Sequence, residues 1–400
     1  MKYAVILCDG AADTPVPELG GKTPLEAAHK PNIDALASCG EMGMVTTVPK
    51  NLPPGSDVAN LAVFGYDPQK YYTGRSPLEA MSMGVHLELT DTTFRTNVVT
   101  LSDDERYEDK TMIDYSSDEI TTEESSQLIA AVNEALRTDE YEFFSGISYR
   151  HLMVWHNKKN DFSLTPPHDI SDRKITDYLP KDKTILNLMK KSYDILKNHP
   201  VNLDRIKRGL RPANSIWIWG NGTKPNLDTY AEKFGIRGAV VSAVDLIKGI
   251  GVCAGLDVID VIGATGNVHT NFDGKAEAAI RALRSGDDFV YVHLEAPDEA
   301  GHRHEIENKV KAIELIDEKI VAPIVAALKA DGEDFAILIM PDHPTPLAIR
   351  THTSDPVPYI IYRSGNCTNG SVRIYSEKEA AKTGIVTEHG YTLMNKLLGR

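Results

Sequence analysis

Cysteine is scarce in this sequence: Cys8, Cys39, Cys253 and Cys367 are widely separated and form no C-x-x-C pair. Such spacing excludes a disulfide framework or a thiolate zinc cage, and a reducing cytoplasm is the expected setting. No apolar run approaches the roughly 20 residues that span a bilayer. The run at residues 3–8 is too short for a secretory leader. Basic residues are in deficit, 43 Lys and Arg against 57 Asp and Glu for a net charge of −14. That deficit argues against nucleic acid or an anionic membrane as partner. Internal repeats, low-complexity tracts, a G-x-x-x-x-G-K-[ST] phosphate loop and a kinase Gly-rich loop are all missing. The nearest glycine cluster, Gly249-Ile-Gly251-Val-Cys-Ala-Gly255, follows a helix-like stretch and reads as a turn.

What is present is ordinary globular material. The chain has 400 residues, 42% of them hydrophobic and 25% charged, which suits two or three domains. Runs rich in β-branched residues at 3–8, 215–219, 238–241, 258–262, 289–294 and 335–340 alternate with helical patterns. In the helix expected at 305–329, Val310, Ile313, Ile316, Ile320 and Ile324 recur every three or four positions. This rhythm predicts an α/β domain with a parallel sheet. Residues 88–182 differ, with an alternating segment at 94–101, charged turns and one amphipathic helix at 122–137. They predict a smaller α+β insertion within a discontinuous core formed by 1–87 and 183–400.

Several polar residues fall just beyond the predicted strands, where open parallel sheets bind their ligands. Asp9 follows the first run, and 289–294 leads into Asp298 and His302, four apart and so on one helix face. The run 335–340 is followed by Asp342 and His343, then by His352 in a Pro-bounded loop. Singly, each has an ordinary explanation as a helix cap or turn residue. Together, three carboxylates and three imidazoles are the six protein ligands that two divalent ions need, with donors suited to Mn²⁺, Zn²⁺ or Mg²⁺. Ser56, after the tight loop Asn51-Leu-Pro-Pro-Gly55, stands at or near a helix N-terminus, where backbone N–H groups favour an anion. It is either an N-cap or the nucleophile of a phosphoryl transfer, its alkoxide stabilised by metal.

The ordered series Asp9-Gly10, Pro54-Gly55-Ser56-Asp57-Val-Ala-Asn60, Gly65-Tyr-Asp-Pro68, Tyr72-Thr-Gly-Arg-Ser-Pro-Leu-Glu-Ala80, Phe94-Arg95-Thr-Asn97, Asp298-Glu-Ala-Gly-His302, Pro341-Asp342-His343 and Thr351-His352-Thr353 resembles the cofactor-independent phosphoglycerate mutases of the archaeal type, in the alkaline phosphatase superfamily. The resemblance runs from residue 1 to near the C-terminus. It implies an alkaline-phosphatase-like core holding two divalent ions, with an inserted domain that closes over a small phosphorylated substrate. Asp298, His302 and His352 match the ligands of one ion, and Asp9, Ser56, Asp342 and His343 the set around the other. Ser56 matches the serine that takes the phosphoryl group from one glycerate hydroxyl and returns it to the next, so no bisphosphoglycerate is required. The resemblance further implies anion-binding and proton-moving roles for Arg150, His168 and Asp169, with Arg211 an additional candidate. Substrate contacts are expected from Arg75, Arg95 and Asn60. Arginine forks match both phosphate and carboxylate, although each arginine could equally serve a surface or interdomain salt bridge. Similar bacterial proteins labelled proposed homoserine kinases, and a plain phosphomonoesterase on the same serine site, are the alternative readings.

Overall fold

In a computed structural model that describes residues 1–365, 367 and 373–400, the chain divides into two units, Met1–Tyr72 with Asn226–Arg400, and Thr73–Pro225. The first is built on an eight-stranded sheet. Its order is Val386–Thr387, Glu41–Val45, Val357–Arg363, Phe335–Met340, Lys2–Cys8, Phe289–Leu294, Gly238–Val241 and Asp257–Ile259. The central strands Phe289–Leu294 and Phe335–Met340 are buried at every position, so they read as continuous apolar runs with no alternation, as strands covered on both faces do. Each fully buried Ile, Leu, Val or Phe there contributes about 1.5–3 kcal/mol relative to exposure. Helices Pro31–Cys39, Phe272–Arg284 and Ile306–Ile316 pack their apolar stripes against this core.

Parallel register decides where the polar residues emerge. Cys8 pairs with Leu294 and Leu7 with Met340. The three central strands therefore end together, and Asp9, Glu295 and the Pro341-Asp342 pair leave the sheet along one edge.

Three details differ from the sequence expectation. The sheet is mixed, because Val357–Arg363 runs antiparallel to both of its neighbours. The strand expected at 258–262 is only Asp257–Ile259. The helix expected at 305–329 is interrupted by a π-helical turn at Asp317–Val321 before Ala322–Asp331. Pro323 has no N–H to continue an α-helical ladder, and Asp317 turns inward to accept the backbone N–H groups of Asn32 (3.3 Å) and Ile33 (2.6 Å).

The second unit, Thr73–Pro225, is an antiparallel five-stranded sheet. Thr92–Leu101 pairs with Met112–Asp114, Arg150–Trp155 and Ser215–Thr223, and Tyr141–Phe144 lies at the edge beside Arg150–Trp155. Helices Thr122–Leu136 and Lys183–Leu196 cover it with one apolar cluster. Its limits lie outside the 88–182 expected from texture. The run at 215–219, assigned above to the parallel core, instead pairs antiparallel with Thr92–Leu101, Trp217 opposite Asn97. A short apolar strand carries no mark of the sheet it joins.

Cys39 and Cys367 are bonded to each other, one bridge where a framework was excluded, while Cys8 and Cys253 are not in a disulfide. Among the described residues, no helix is long and apolar enough to cross a membrane.

Candidate active site

Asp9, Asp298, Asp342 and His343 are all buried, held by the loops and the short helix Ala296–His302 that follow the three aligned strands. Gly10 makes the first turn possible. It adopts φ +62°, and a Cβ there would lie 2.6 Å from both Asp298 Oδ1 and Thr345 Oγ1. Its N–H donates to Asp342 Oδ1 at 3.1 Å. Only glycine combines this backbone with so close an approach.

Two groups of donor atoms converge, each within 4.8 Å: Asp9, Asp342 and His343, and Asp298, His343 and His352. His343 Nε2 lies 3.7 Å from Asp9 Oδ1, 3.3 Å from Asp342 Oδ2 and 3.1 Å from Ser56 Oγ. The Thr345 hydroxyl donates to Asp298, so it accepts from His343 Nδ1 at 3.3 Å. That places the Nε2 lone pair toward two carboxylates and the serine. His302 Nε2 approaches His352 Nε2 at 2.9 Å and Asp298 Oδ2 at 3.3 Å, and His352 Nε2 is 3.4 Å from Asp298 Oδ1. His302 Nδ1 donates to the Arg350 carbonyl at 2.9 Å, which aims Nε2 inward.

Electrostatics favours a cation here. Burial, then the charges of Asp342, Asp298 and Glu295, push the Asp9 carboxyl well above its ordinary value. Burial acts the same way on Asp298, but hydrogen bonds from His302 and His352 override it and hold that carboxyl well below its usual range. The hydrogen bond to Asp298 pushes His302 up to about 9. A divalent ion would compete with that proton for Nε2. Asp9 Oδ1 is buried with no hydrogen-bond partner, and buried polar atoms ordinarily have one. The oxygen and imidazole donors, this orphaned oxygen and the inward lone pairs all fit divalent metal ions.

Ser56 opens the helix Ser56–Val63 and is half-buried. Its hydroxyl faces His343, so the helix N-terminus and the carboxylate cluster adjoin at one atom. Asn60, expected to touch substrate, is fully buried with its amide committed: Nδ2 donates to Ser56 O (2.9 Å) and Asp342 Oδ2 (2.8 Å), and Oδ1 accepts from Tyr291 (2.6 Å). It braces Asp342.

In the second unit, Arg95 Nε donates to Glu79 Oε2 (3.1 Å) and Arg75 Nε to Glu79 Oε1 (3.0 Å). Burial, and then the charges of Arg75 and Arg150, lower the Arg95 guanidinium from its ordinary value against the pull of Glu79. The Arg95 guanidinium lies 4.4 Å over the Trp219 ring, whose centroid is 5.4 Å from that of His168. His168 meets Tyr115, Tyr115 meets Tyr149, and Arg150 lies 5.3 Å over Tyr149. Arg95, His168 and Arg150 thus border one aromatic row. Asp169 lies 3.6 Å from His168 Nε2, and both are exposed. Arg211 is paired with Asp114 at 3.0 Å and Asp118 at 3.6 Å.

His293 escaped the sequence reading because it sits inside the apolar run 289–294. It is fully buried and hydrogen-bonded to Asp9 at 2.7 Å. The signal was there: an ionisable residue interrupting a buried strand needs a partner.

A family described as 2,3-bisphosphoglycerate-independent phosphoglycerate mutase matches residues 37–202. A probable 2,3-bisphosphoglycerate-independent phosphoglycerate mutase of Geobacter sulfurreducens is 51% identical, with both chains covered completely. The enzyme of that name from Methanosarcina acetivorans is 49% identical over 96% of each chain. Among solved structures, a Pyrococcus horikoshii protein superposes with TM-score 0.83 at 31% identity, covering 100% of this chain and 96% of that one. The cofactor-independent phosphoglycerate mutase of Thermoplasma acidophilum does so with TM-score 0.69 at 28% identity, covering 100% and 99%.

Proposed function

The chain belongs to the 2,3-bisphosphoglycerate-independent phosphoglycerate mutases, and from that premise we propose how its residues divide the work. The reaction is the interconversion of 3-phosphoglycerate and 2-phosphoglycerate. Full-length relatives bearing the mutase name leave the homoserine kinase and phosphomonoesterase readings unfavoured.

The observation that carries the mechanism is Ser56 Oγ standing 3.1 Å from His343 Nε2, beside the buried Asp9–Asp342–His343 group. In this reading Asp9, Asp342 and His343, with Ser56, hold one divalent ion. Asp298, His302 and His352 hold the other, with His343 alongside. Mn²⁺, Zn²⁺ and Mg²⁺ all suit the donor set. When bound, the ions supply charge stabilisation for the seryl alkoxide and the phosphoryl group in transfer.

Ser56 Oγ attacks phosphorus, the P–O bond to one glycerate hydroxyl breaks, and the phosphoryl group is stored as phosphoserine. The N-terminus of Ser56–Val63 favours the added negative charge. His168, with Asp169 beside it, moves the proton between the two glycerate hydroxyls. The neighbouring hydroxyl then takes the phosphoryl group back, and Ser56 is restored. Storage on Ser56 removes any need for bisphosphoglycerate. Arg75, Arg95 and Arg150 hold the anionic ends of the substrate through their forks. We assign Thr73–Pro225 the role of binding these groups and excluding water while the phosphoserine persists. The enzyme works in the cytoplasm in this reading, where the Cys39–Cys367 bridge is expected to be open.

The test is an enolase-coupled assay of Mn²⁺-loaded protein with 3-phosphoglycerate and no bisphosphoglycerate, beside a mixture of ATP and L-homoserine. Turnover in the first that vanishes in Ser56→Ala supports the reading. Turnover that persists in Ser56→Ala overturns the nucleophile, and phosphohomoserine alone overturns the substrate.

A further inference from the structure

We propose that His293, set by Ser242, is a positioning residue that leaves Asp9 one free carboxylate oxygen for a divalent ion. The inference rests on the two-ion reading above. His293 lies near the end of Phe289–Leu294, between Val292 and Leu294, and its side chain is fully buried. Nothing in the phosphoryl transfer itself uses it. Its ring nitrogens have one partner each: Nε2 is 2.7 Å from Asp9 Oδ2, and Nδ1 is 3.2 Å from Ser242 Oγ.

The direction of each hydrogen bond follows from what the partners can do. Ser242 Oγ accepts the Val244 N–H at 3.0 Å, which leaves its own proton for Nδ1. With Nδ1 accepting, the neutral ring carries its proton on Nε2 and donates it to Asp9 Oδ2, which in the ionised form that binds a metal can only accept. The strand is pinned at the same residue, since the buried Lys275 Nζ donates to the His293 carbonyl at 3.1 Å.

The result is an asymmetric carboxylate. Oδ2 is taken, while Oδ1 is buried and unpartnered and lies on the His343 side, 3.7 Å from Nε2. A carboxylate held by a second hydrogen-bonding group presents its other oxygen in a fixed direction, and such outer partners set metal affinity. Without the imidazole, Asp9 could rotate, and Oδ2 would be left buried and unpaired.

The experiment is a calorimetric Mn²⁺ titration of metal-free full-length protein, with no substrate present. Wild type is expected to show two sites. His293→Ala should weaken one site about 10–100-fold and leave the other within about threefold. His293→Gln, whose amide N–H can replace the Nε2 donor, should restore most of the loss. Ser242→Ala, a one-oxygen change, should weaken the same site about threefold or more. Circular dichroism and thermal melts of the metal-free variants show whether the fold is kept.

Wild-type affinity at both sites in His293→Ala overturns the inference. So does equal weakening of both sites that Gln does not restore, since a structural role would do that. If His293→Ala does not fold, unchanged affinity in Ser242→Ala overturns the inference by itself. Wild type that binds no ion would overturn the two-ion reading as well, which separates the two failures.

Discussion

Both units bury charge, but on different terms. In the first, Asp9, Asp298 and Asp342 share one buried cluster with His343. Asp9 keeps an oxygen with no partner. In the second, the most deeply buried guanidinium, Arg205, has a partner at each of its three nitrogens. It donates to the carbonyls of Arg211 (2.9 Å) and Ser117 (2.6 Å) and pairs with Glu124. Ser117, Asp118 and Glu119 all have positive φ, 51°, 57° and 49°, so Arg205 fastens a loop that runs against L-residue preference. A buried charge whose partners are complete holds architecture, and one whose partners are incomplete awaits a ligand. The second unit instead keeps Arg75, Arg150 and His168 exposed, where a soluble anion can reach them.

The largest expected effect tests the incomplete side. Ser56→Ala should cut mutase turnover on the order of 10⁴-fold or more, with an unchanged melting temperature. A smaller loss would overturn Ser56 as the nucleophile. A complete partnership should behave differently when broken. Lys309 Nζ, buried, donates to Asp13 at 2.8 Å and to the Thr345 carbonyl at 2.7 Å. Lys309→Ala should cost about 3–5 kcal/mol in guanidinium unfolding, the usual result of orphaning one member of a buried pair.

Within the second unit, Arg95→Ala should raise KM for 3-phosphoglycerate about 10–100-fold, matching one lost charge-assisted hydrogen bond. Arg211→Ala should shift it less than about twofold, because an exposed arginine already paired with two carboxylates contributes little. Equal effects would erase the distinction between them.

A further expected effect concerns acid. Burial lowers His151, in the strand Arg150–Trp155, from 6.5 to about 3. Between those values the unfolded chain binds a proton that the folded unit refuses, so stability falls as pH drops through the window. The slope is at most about 1.4 kcal/mol per pH unit. His151→Leu should flatten that part of the stability profile in urea melts taken from pH 7 to pH 4.

The same distinction explains what could be read from sequence. Strands 289–294 and 335–340 were legible to the residue because burial on both faces leaves a continuous apolar run. Asp9, Ser56, Asp298, Asp342 and His343 were legible as candidates because each stands where such a run or a tight loop ends. Val357–Arg363 and Glu41–Val45 went unread, since their roles depend on antiparallel pairing across long separations. Asn60 was read as a substrate contact, yet its amide is committed to Ser56 and Asp342, a fact of packing that no local pattern carries. His293 was hidden by apolar neighbours. Trp219, the platform under Arg95, was visible only as a strand residue.

The register of the first strand also governs when the protein can be finished. Lys2–Cys8 pairs with Phe289–Leu294 and Phe335–Met340, so this segment waits for two that are made much later. Thr73–Pro225 is contiguous and forms a compact unit of its own. Domains tend to fold as units while synthesis proceeds, and distant pairings form slowly. The inserted unit is therefore complete while the N-terminal strand is still unpaired. The carboxylate of Asp9 meets Asp342 only after the whole inserted unit and the strands Phe289–Leu294 and Phe335–Met340 have been made.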